Sequence, residues 1–351
     1  TKSPVGKMRD LRDSKYTPYD PKLWNEMVSM GWSALTIPER YNGLDFGFVG
    51  LGQVLEETGR NLSKSPLISS ILLGTSALRL SDNEILKAKL FPGIMEGTCK
   101  LAFAIQEGIY HQTKLFKTSA VLEGENYKIN GSKTIVVDGS TADHYIVVCQ
   151  VNDNLSLFII DSNSKGITIS KKILMDSGSY ADVTFKNVSV SAENQLNIKL
   201  DGRQLLDQIM AIAYAGISAE LLGICKQSFD ITIKYLKERQ QFGVKIGTYQ
   251  ALQHRAVILF SEIELCKSIV LKALQAIDDN HPKALKYSHL AKAKLCKTAK
   301  LVTNEAIQLH GGIGVTDDAD IGFYLKRARV AKQLFGDYNY HIDQLALIKG
   351  F

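Results

Sequence analysis

Two short segments combine residue types suited to holding an anionic, aromatic ligand. The first is Arg239-Gln240-Gln241-Phe242-Gly243, followed by Ile246, Gln250 and Gln253. An Arg at a helix end gives bidentate contact to phosphate, a Phe packs on a ring, and Gln offers amide hydrogen bonds. The plain alternative is a helix-turn-helix joint capped by Gly243. The second is Gln308-Leu309-His310-Gly311-Gly312-Ile313-Gly314. Glycines after a helix allow close backbone approach to a ligand, and they also serve as an ordinary helix end with a flexible loop.

Other chemistries find no support. The seven histidines are dispersed, and none pairs at helical spacing with Cys or a carboxylate, so no metal site is expected. There is no nucleophile elbow and no phosphate-cradling P-loop. The net charge of +6 over 351 residues is mild, and no arginine-aromatic run suggests a nucleic-acid groove. No uninterrupted apolar stretch reaches membrane-spanning length, and Thr1 to Asp13 lacks the apolar core of a secretory signal. The five cysteines form no CxxC pair, which fits a reduced, cytoplasmic setting. The opening at Thr1, without Met, suggests a truncated start.

The elements that must position the two segments follow an α, β, α order. Residues 1–97 read as helical, with Leu51, Val54, Leu55 and Thr58 on one face and a helix end near Gly59. Residues 98–199 turn to a period of two. Tyr127-Lys128-Ile129 meeting Asn130-Gly131 predicts a hairpin, and further runs at 145–151, 155–160, 167–170 and 183–190 predict a small antiparallel barrel or sandwich. Residues 200–351 return to helical spacing. Leu222, Cys225, Phe229, Ile233 and Leu236 share one face; Ala256, Leu259, Ile263, Cys266 and Val270 a second; Leu295, Ala299, Val302, Ala306 and Leu309 a third. Such helices with short connections predict a four-helix bundle. The fold class is α+β.

In this α-β-α context the two segments resemble the signatures of the acyl-CoA dehydrogenase superfamily: Arg-x-x-Phe-Gly with a following Gln, and Gln-x-His-Gly-Gly-x-Gly. Gly31-Trp32 with Ile37-Pro38-Glu39-Arg40-Tyr41-Asn42-Gly43 resembles the family's N-terminal stretch. Asn130-Gly131-Ser132-Lys133 resembles its β-domain hairpin. The tail from Phe335 through His341 is similar to a branch with bacterial steroid and side-chain degrading members. The resemblance implies FAD held between the β-domain of one subunit and the helical domain of another, hence an oligomer. Arg239, Phe242 and Gln250 would contact the neighbour's FAD, and Gln308, Gly311 and Gly312 would approach its pyrophosphate. Gln106 and Val137 would offer backbone groups to the ring edge. The implied reaction removes the α-proton of an acyl-CoA while hydride passes to flavin N5, and an electron-transfer flavoprotein takes the electrons.

The chain departs from the family pattern at two places. Gln106-Glu107-Gly108-Ile109-Tyr110-His111-Gln112 replaces a Thr-Glu-Pro-Gly-x-Gly-Ser stretch, and Ile135-Val136-Val137 replaces Trp-Ile-Thr. The two places where members keep a Glu base hold Gly336 and Ala213. Three expectations follow: a dehydrogenase using Asp337, or another acid such as Glu220; a base-less subunit of a hetero-oligomer whose Glu-bearing homologue supplies the carboxylate; or a flavin oxidase or monooxygenase on the same scaffold.

Overall fold

The computed structural model describes residues 5–13 and 18–351. The N-terminal helices are α1 (Gly6–Asp13), α2 (Pro21–Ser29), α3 (Gly47–Asn61), α4 (Ser76–Leu80) and α5 (Glu84–Met95). A π-helical stretch, Leu67–Thr75, runs directly into α4. Helix α2 shows why its start is sharp: Asp20 accepts a hydrogen bond from the Lys22 amide at 2.9 Å, and Pro21 occupies the first turn.

Seven strands follow: β1 (Leu101–Ala104), β2 (Ser119–Glu123), β3 (Asn126–Val137), β4 (His144–Val151), β5 (Asn154–Asp161), β6 (Ile167–Ile173) and β7 (Ser179–Ser191). They form one sheet in the order β1-β4-β2-β3-β7-β6, with β5 paired to β4. Most ladders are antiparallel; β4 runs parallel to β1 and β2. Alternate residues such as Ile129, Tyr145, Val147, Phe158, Val183 and Phe185 build the core of this sheet.

The hairpin expected at Asn130-Gly131 is not there. The chain reverses at Gly124-Glu125, with Glu123 opposite Asn126, and Asn130-Gly131 lies within β3. There the register against β7 slips, which makes it a bulge. The glycine serves close approach: at φ +151° a Cβ would lie 2.6 Å from Thr118 Cα.

The C-terminal elements are α6 (Gly202–Glu238), the two-stranded hairpin β8 (Gln240–Gln241) and β9 (Val244–Lys245), α7 (Gln250–Asp278), α8 (Ala284–His310), α9 (Ile321–Ala331) and α10 (Tyr338–Lys349). The expected apolar faces are largely buried. All five residues of the third are, and only Phe229, Ile233 and Ala256 of the others are partly open. Helix α6 is long and apolar enough to cross a membrane, yet 94% of its most apolar window is buried inside the protein, as in a core helix.

The chain divides into two compact units. One, the helical unit, comprises residues 5–13, Gly52–Ser63 and Tyr214–Phe351; the other, the β-containing unit, comprises residues 18–51 and Lys64–Ala213.

Candidate functional site

In the helical unit, Arg239 follows α6 directly, and its carbonyl accepts the Ile246 amide at 2.9 Å, closing the β8–β9 hairpin. Phe242 sits at the hairpin tip in the left-handed region, φ +52°, with its ring 89% exposed. An aromatic ring held in water on strained backbone is an outlier that invites a functional reading. Gln250 opens α7. The side chains of Arg239, Gln250 and Gln308 are exposed and make no hydrogen bond or ion pair with the described residues.

Gln308, Gly311 and Gly312 belong to the end of α8, and packing brings this end to the hairpin. Arg255 near the start of α7 pairs with Glu305 near the end of α8 at 2.6 Å. Tyr235, near the end of α6, stacks on His310 with ring centroids 4.5 Å apart. All six residues therefore share one end of the bundle. Beside Gly311 and Gly312 a Cβ would meet nothing within 4 Å, so the backbone there is uncovered.

Gln106 and Val137 lie in the β-containing unit. The Gln106 carbonyl accepts the Thr134 amide at 2.7 Å, and its side chain contacts the Gly108 carbonyl and the His111 ring at 2.9 and 3.0 Å. Val137 is buried at the end of β3, opposite Tyr180. The same unit carries a groove of about 830 Å³ between the Lys114–Phe116 loop, the β4–β5 turn and residues 195–203. Lys114, Lys199 and Arg203 line it together with Asp153 and Asp201, which leaves a small excess of positive charge for an anionic ligand.

The turn that follows α9 holds Gly336 and Asp337, the positions weighed for a base. Phe335 and Gly336 take φ values of +58° and +99°. A Cβ on Gly336 would stand 2.3 Å from Tyr340 Cδ1, so a side chain has no room there. Asp337 is half-buried and caps α10, accepting the Tyr340 amide at 3.0 Å. Glu220 is held by both Nε and Nη2 of Arg327 at 2.8 Å. Ala213 is fully buried in α6.

Behind the turn stands Lys292, which the sequence reading passes over. Its ammonium donates to the carbonyls of Lys332 and Gly336 at 3.0 and 2.9 Å and to Cys296 Sγ at 3.5 Å. The available signal is a lysine on the apolar stripe of α8, three residues before Leu295. The side chains of His289 and His341 meet nearby through Nδ1 atoms 2.8 Å apart, against the Tyr214 ring. Burial pushes His289 down to about 4.

Three family models match in chain order: the N-terminal domain of acyl-CoA dehydrogenase over residues 4–98, the middle domain over 109–188 and the C-terminal domain over 201–347. The chain belongs to the acyl-CoA dehydrogenase family. The curated relatives include the mitochondrial short/branched chain specific acyl-CoA dehydrogenase of Bos taurus, 25% identical over 91% of this chain and 76% of the relative. The 3-(aryl)acrylate reductase of Clostridium sporogenes is 27% identical over 90% of this chain and 86% of the relative. Among solved structures, the steroid ACAD Tcur3481-Tcur3483 superposes with a TM-score of 0.90 at 25% identity, covering 99% of this chain and 94% of that one.

FAD is the cofactor of this acyl-CoA dehydrogenase family, and the bundle end fits such a group. Arg239 offers an unpaired guanidinium, Phe242 an uncovered ring, and Gly311-Gly312 bare backbone. Each is the kind of partner that a dinucleotide's phosphates and rings require.

Proposed function

We propose that this chain is the FAD-binding, base-less subunit of a hetero-oligomeric acyl-CoA dehydrogenase. It would introduce an α,β double bond into an acyl-CoA thioester, and a Glu-bearing homologue would take the α-proton. The observation that carries this reading is the turn at Gly336. Where similar enzymes keep a Glu, the backbone is left-handed and the Tyr340 ring fills the side-chain space.

When bound, FAD supplies the hydride acceptor, flavin N5. In this reading Arg239 pairs with phosphate, Phe242 packs on a ring, Gln250 and Gln308 give amide hydrogen bonds, and Gly311 and Gly312 allow close approach. Gln106 and Val137 present backbone groups to the ring edge. The cationic groove beside Lys114, Lys199 and Arg203 suits the phosphates of CoA. The exposed face of α7, with Val257, Ile258, Phe260 and Leu265, suits burial against another subunit. An electron-transfer flavoprotein takes the electrons. A relative in Acetobacterium woodii is a subunit of a caffeyl-CoA reductase-Etf complex, in line with that partner. Five free cysteines fit the cytoplasm as its place of work.

A second reading makes Asp337 the base, since it is the acid next to Gly336 and only half-buried. Asn caps helices about as well as Asp, so Asp337→Asn removes the acid and keeps the cap. Alone, the chain should bind FAD and turn over slowly, because a general base contributes about 10²–10⁴-fold. Addition of the Glu-bearing homologue should restore the rate, with Asp337→Asn as active as the parent in the mixture. Loss of activity in that mixed Asp337→Asn sample would favour the second reading. Brisk turnover by Asp337→Asn alone would overturn both. Arg239→Ala should weaken FAD by about 1.5–3 kcal/mol; unchanged affinity would refute the flavin assignment.

A further inference from the structure

Lys133 is the most deeply buried charge of the β-containing unit, with no accessible surface. Its ammonium meets Glu107 Oε1 at 2.6 Å and the Ile105 carbonyl at 3.5 Å, and it lies 4.7 Å from the centroid of the Phe116 ring. The same carboxylate accepts the Lys117 amide at 2.6 Å and the Thr118 amide at 3.0 Å. One ion pair thus ties together three stretches: residues 105–107 after β1, residues 117–118 before β2, and the middle of β3.

What these ties surround is strained. Directly after Lys133 the register of β3 against β7 slips, and the bulge contains Ile135 at φ +51°. A β-branched residue is strongly disfavoured there and persists only where its surroundings over-determine the backbone. The determinants are visible. Thr134 N–H donates to the Gln106 carbonyl at 2.7 Å, and Ile135 N–H donates to Asp182 Oδ1 at 3.1 Å. The hydrogen-bond partner of Thr134 thus lies in the segment that the Glu107 carboxylate anchors. Bulges re-aim the residues they contain, and they recur beside active sites.

We propose that the Glu107–Lys133 pair is a positioning device for FAD: it locks residues 105–108 against the strained bulge at 134–136, so that this edge is preformed before the flavin arrives. The inference rests on the FAD reading above and adds two residues that touch no cofactor and act through Gln106 and the bulge. Preorganisation of this kind raises affinity by removing the cost of ordering on binding. A closed, buried charge pair suits the task because it holds its geometry without solvent.

The experiment measures FAD affinity of the chain, assembled with its partner, by flavin fluorescence quenching, together with the position of the visible flavin absorption band. The variants are Lys133→Met, Lys133→Arg and the double Glu107→Gln/Lys133→Met. Phe158→Leu opens a cavity in the same sheet core and serves as the stability control. Lys133→Met should weaken FAD by roughly tenfold or more and shift the band. Lys133→Arg, which keeps the charge and the donors, should recover most of the affinity. The double variant, without buried charges, should fold and still bind FAD poorly. The inference is overturned if folded Lys133→Met or the double variant binds FAD like the parent with the same band. It is equally overturned if Phe158→Leu, at matched loss of thermal stability, weakens FAD to the same degree. A parent without FAD affinity would overturn the flavin reading and this inference together, which distinguishes the two failures.

Discussion

Lys133 and Lys292 are both wholly buried ammonium groups, one in each unit, and the protein stabilises them by different means. Lys133 has a carboxylate partner. Burial alone would raise the Glu107 carboxyl, but the attraction of Lys133 and the hydrogen bonds it accepts prevail and hold it below its ordinary value. In direct contact Lys292 has only dipoles: the Lys332 carbonyl at the C-terminal end of α9, the Gly336 carbonyl and the Cys296 thiol. The negative end of a helix favours a cation, yet among the described residues no carboxylate lies within 4 Å of this one; burial pushes both ammonium groups down, and only at Lys133 does a paired carboxylate oppose it. A closed pair keeps its geometry by itself. An ammonium held by carbonyls ties its own charge to the shape of the turn it supports, here the turn at Gly336.

The largest effects should test that difference. Glu107→Gln leaves the Lys133 charge buried without a counter-charge, which typically costs about 3–5 kcal/mol. The double variant Glu107→Leu/Lys133→Met removes both charges and should regain much of that loss. Lys292→Met leaves the Gly336 carbonyl without its donor, while the Cys296 thiol still donates to the Lys332 carbonyl at 3.4 Å, at about 1–3 kcal/mol. Urea unfolding of the four proteins checks the order. Equal losses for Glu107→Gln and the double variant would break the comparison, because the penalty would then not arise from the unpaired charge.

Acid should strike the helical unit through the histidines near Lys292. His289 lies at about 4 in the folded state against 6.5 for the free side chain, lowered by burial; His341, Tyr214 and Tyr340 pack against it. Between pH 6.5 and about 4 the unfolded chain binds this proton and the folded one does not. Stability therefore falls as pH drops from 6.5 to about 4, by roughly 3 kcal/mol over the window. The measurement is the pH dependence of the urea midpoint, compared with His289→Gln. A slope that persists unchanged in His289→Gln would assign the acid sensitivity elsewhere.

How much of this is legible in the sequence depends on the distance between partners along the chain. The helices and strands show because their signals are local: three largely buried faces on α6, α7 and α8, continuous apolar runs in β4 and β5, and alternation in β7. The bundle end shows because Arg239 to Gln250 and Gln308 to Gly312 are contiguous motifs. Asn130-Gly131 misleads because its turn preference is local, whereas the reason for the glycine, contact with Thr118, is not. Lys133 meets an acid 26 positions away, and Lys292 meets carbonyls 40 and 44 positions away, so neither role has a local pattern. The filling of the Gly336 side-chain space by Tyr340 is likewise a matter of packing. A glycine alone does not reveal that a Glu would no longer fit.

The smallest effect sharpens the comparison at Asp337, which has two candidate stabilising roles. Its side chain caps α10, and its charge acts on Lys292 from beyond ion-pair distance, favouring the ammonium. The two roles separate by substitution. Asp337→Asn keeps a capping oxygen and deletes the charge; Asp337→Ala deletes both. Loss of an N-cap typically costs about 1 kcal/mol. If the cap dominates, Asn should stay close to the parent in thermal unfolding and Ala should fall below both. If the distant charge is what steadies Lys292, Asn should fall as far as Ala, and both losses should vanish in a Lys292→Met background, where no ammonium remains to be stabilised. That outcome would mean that Lys292 has a carboxylate partner after all, acting at longer range than Glu107, and the contrast between the two lysines would become one of distance.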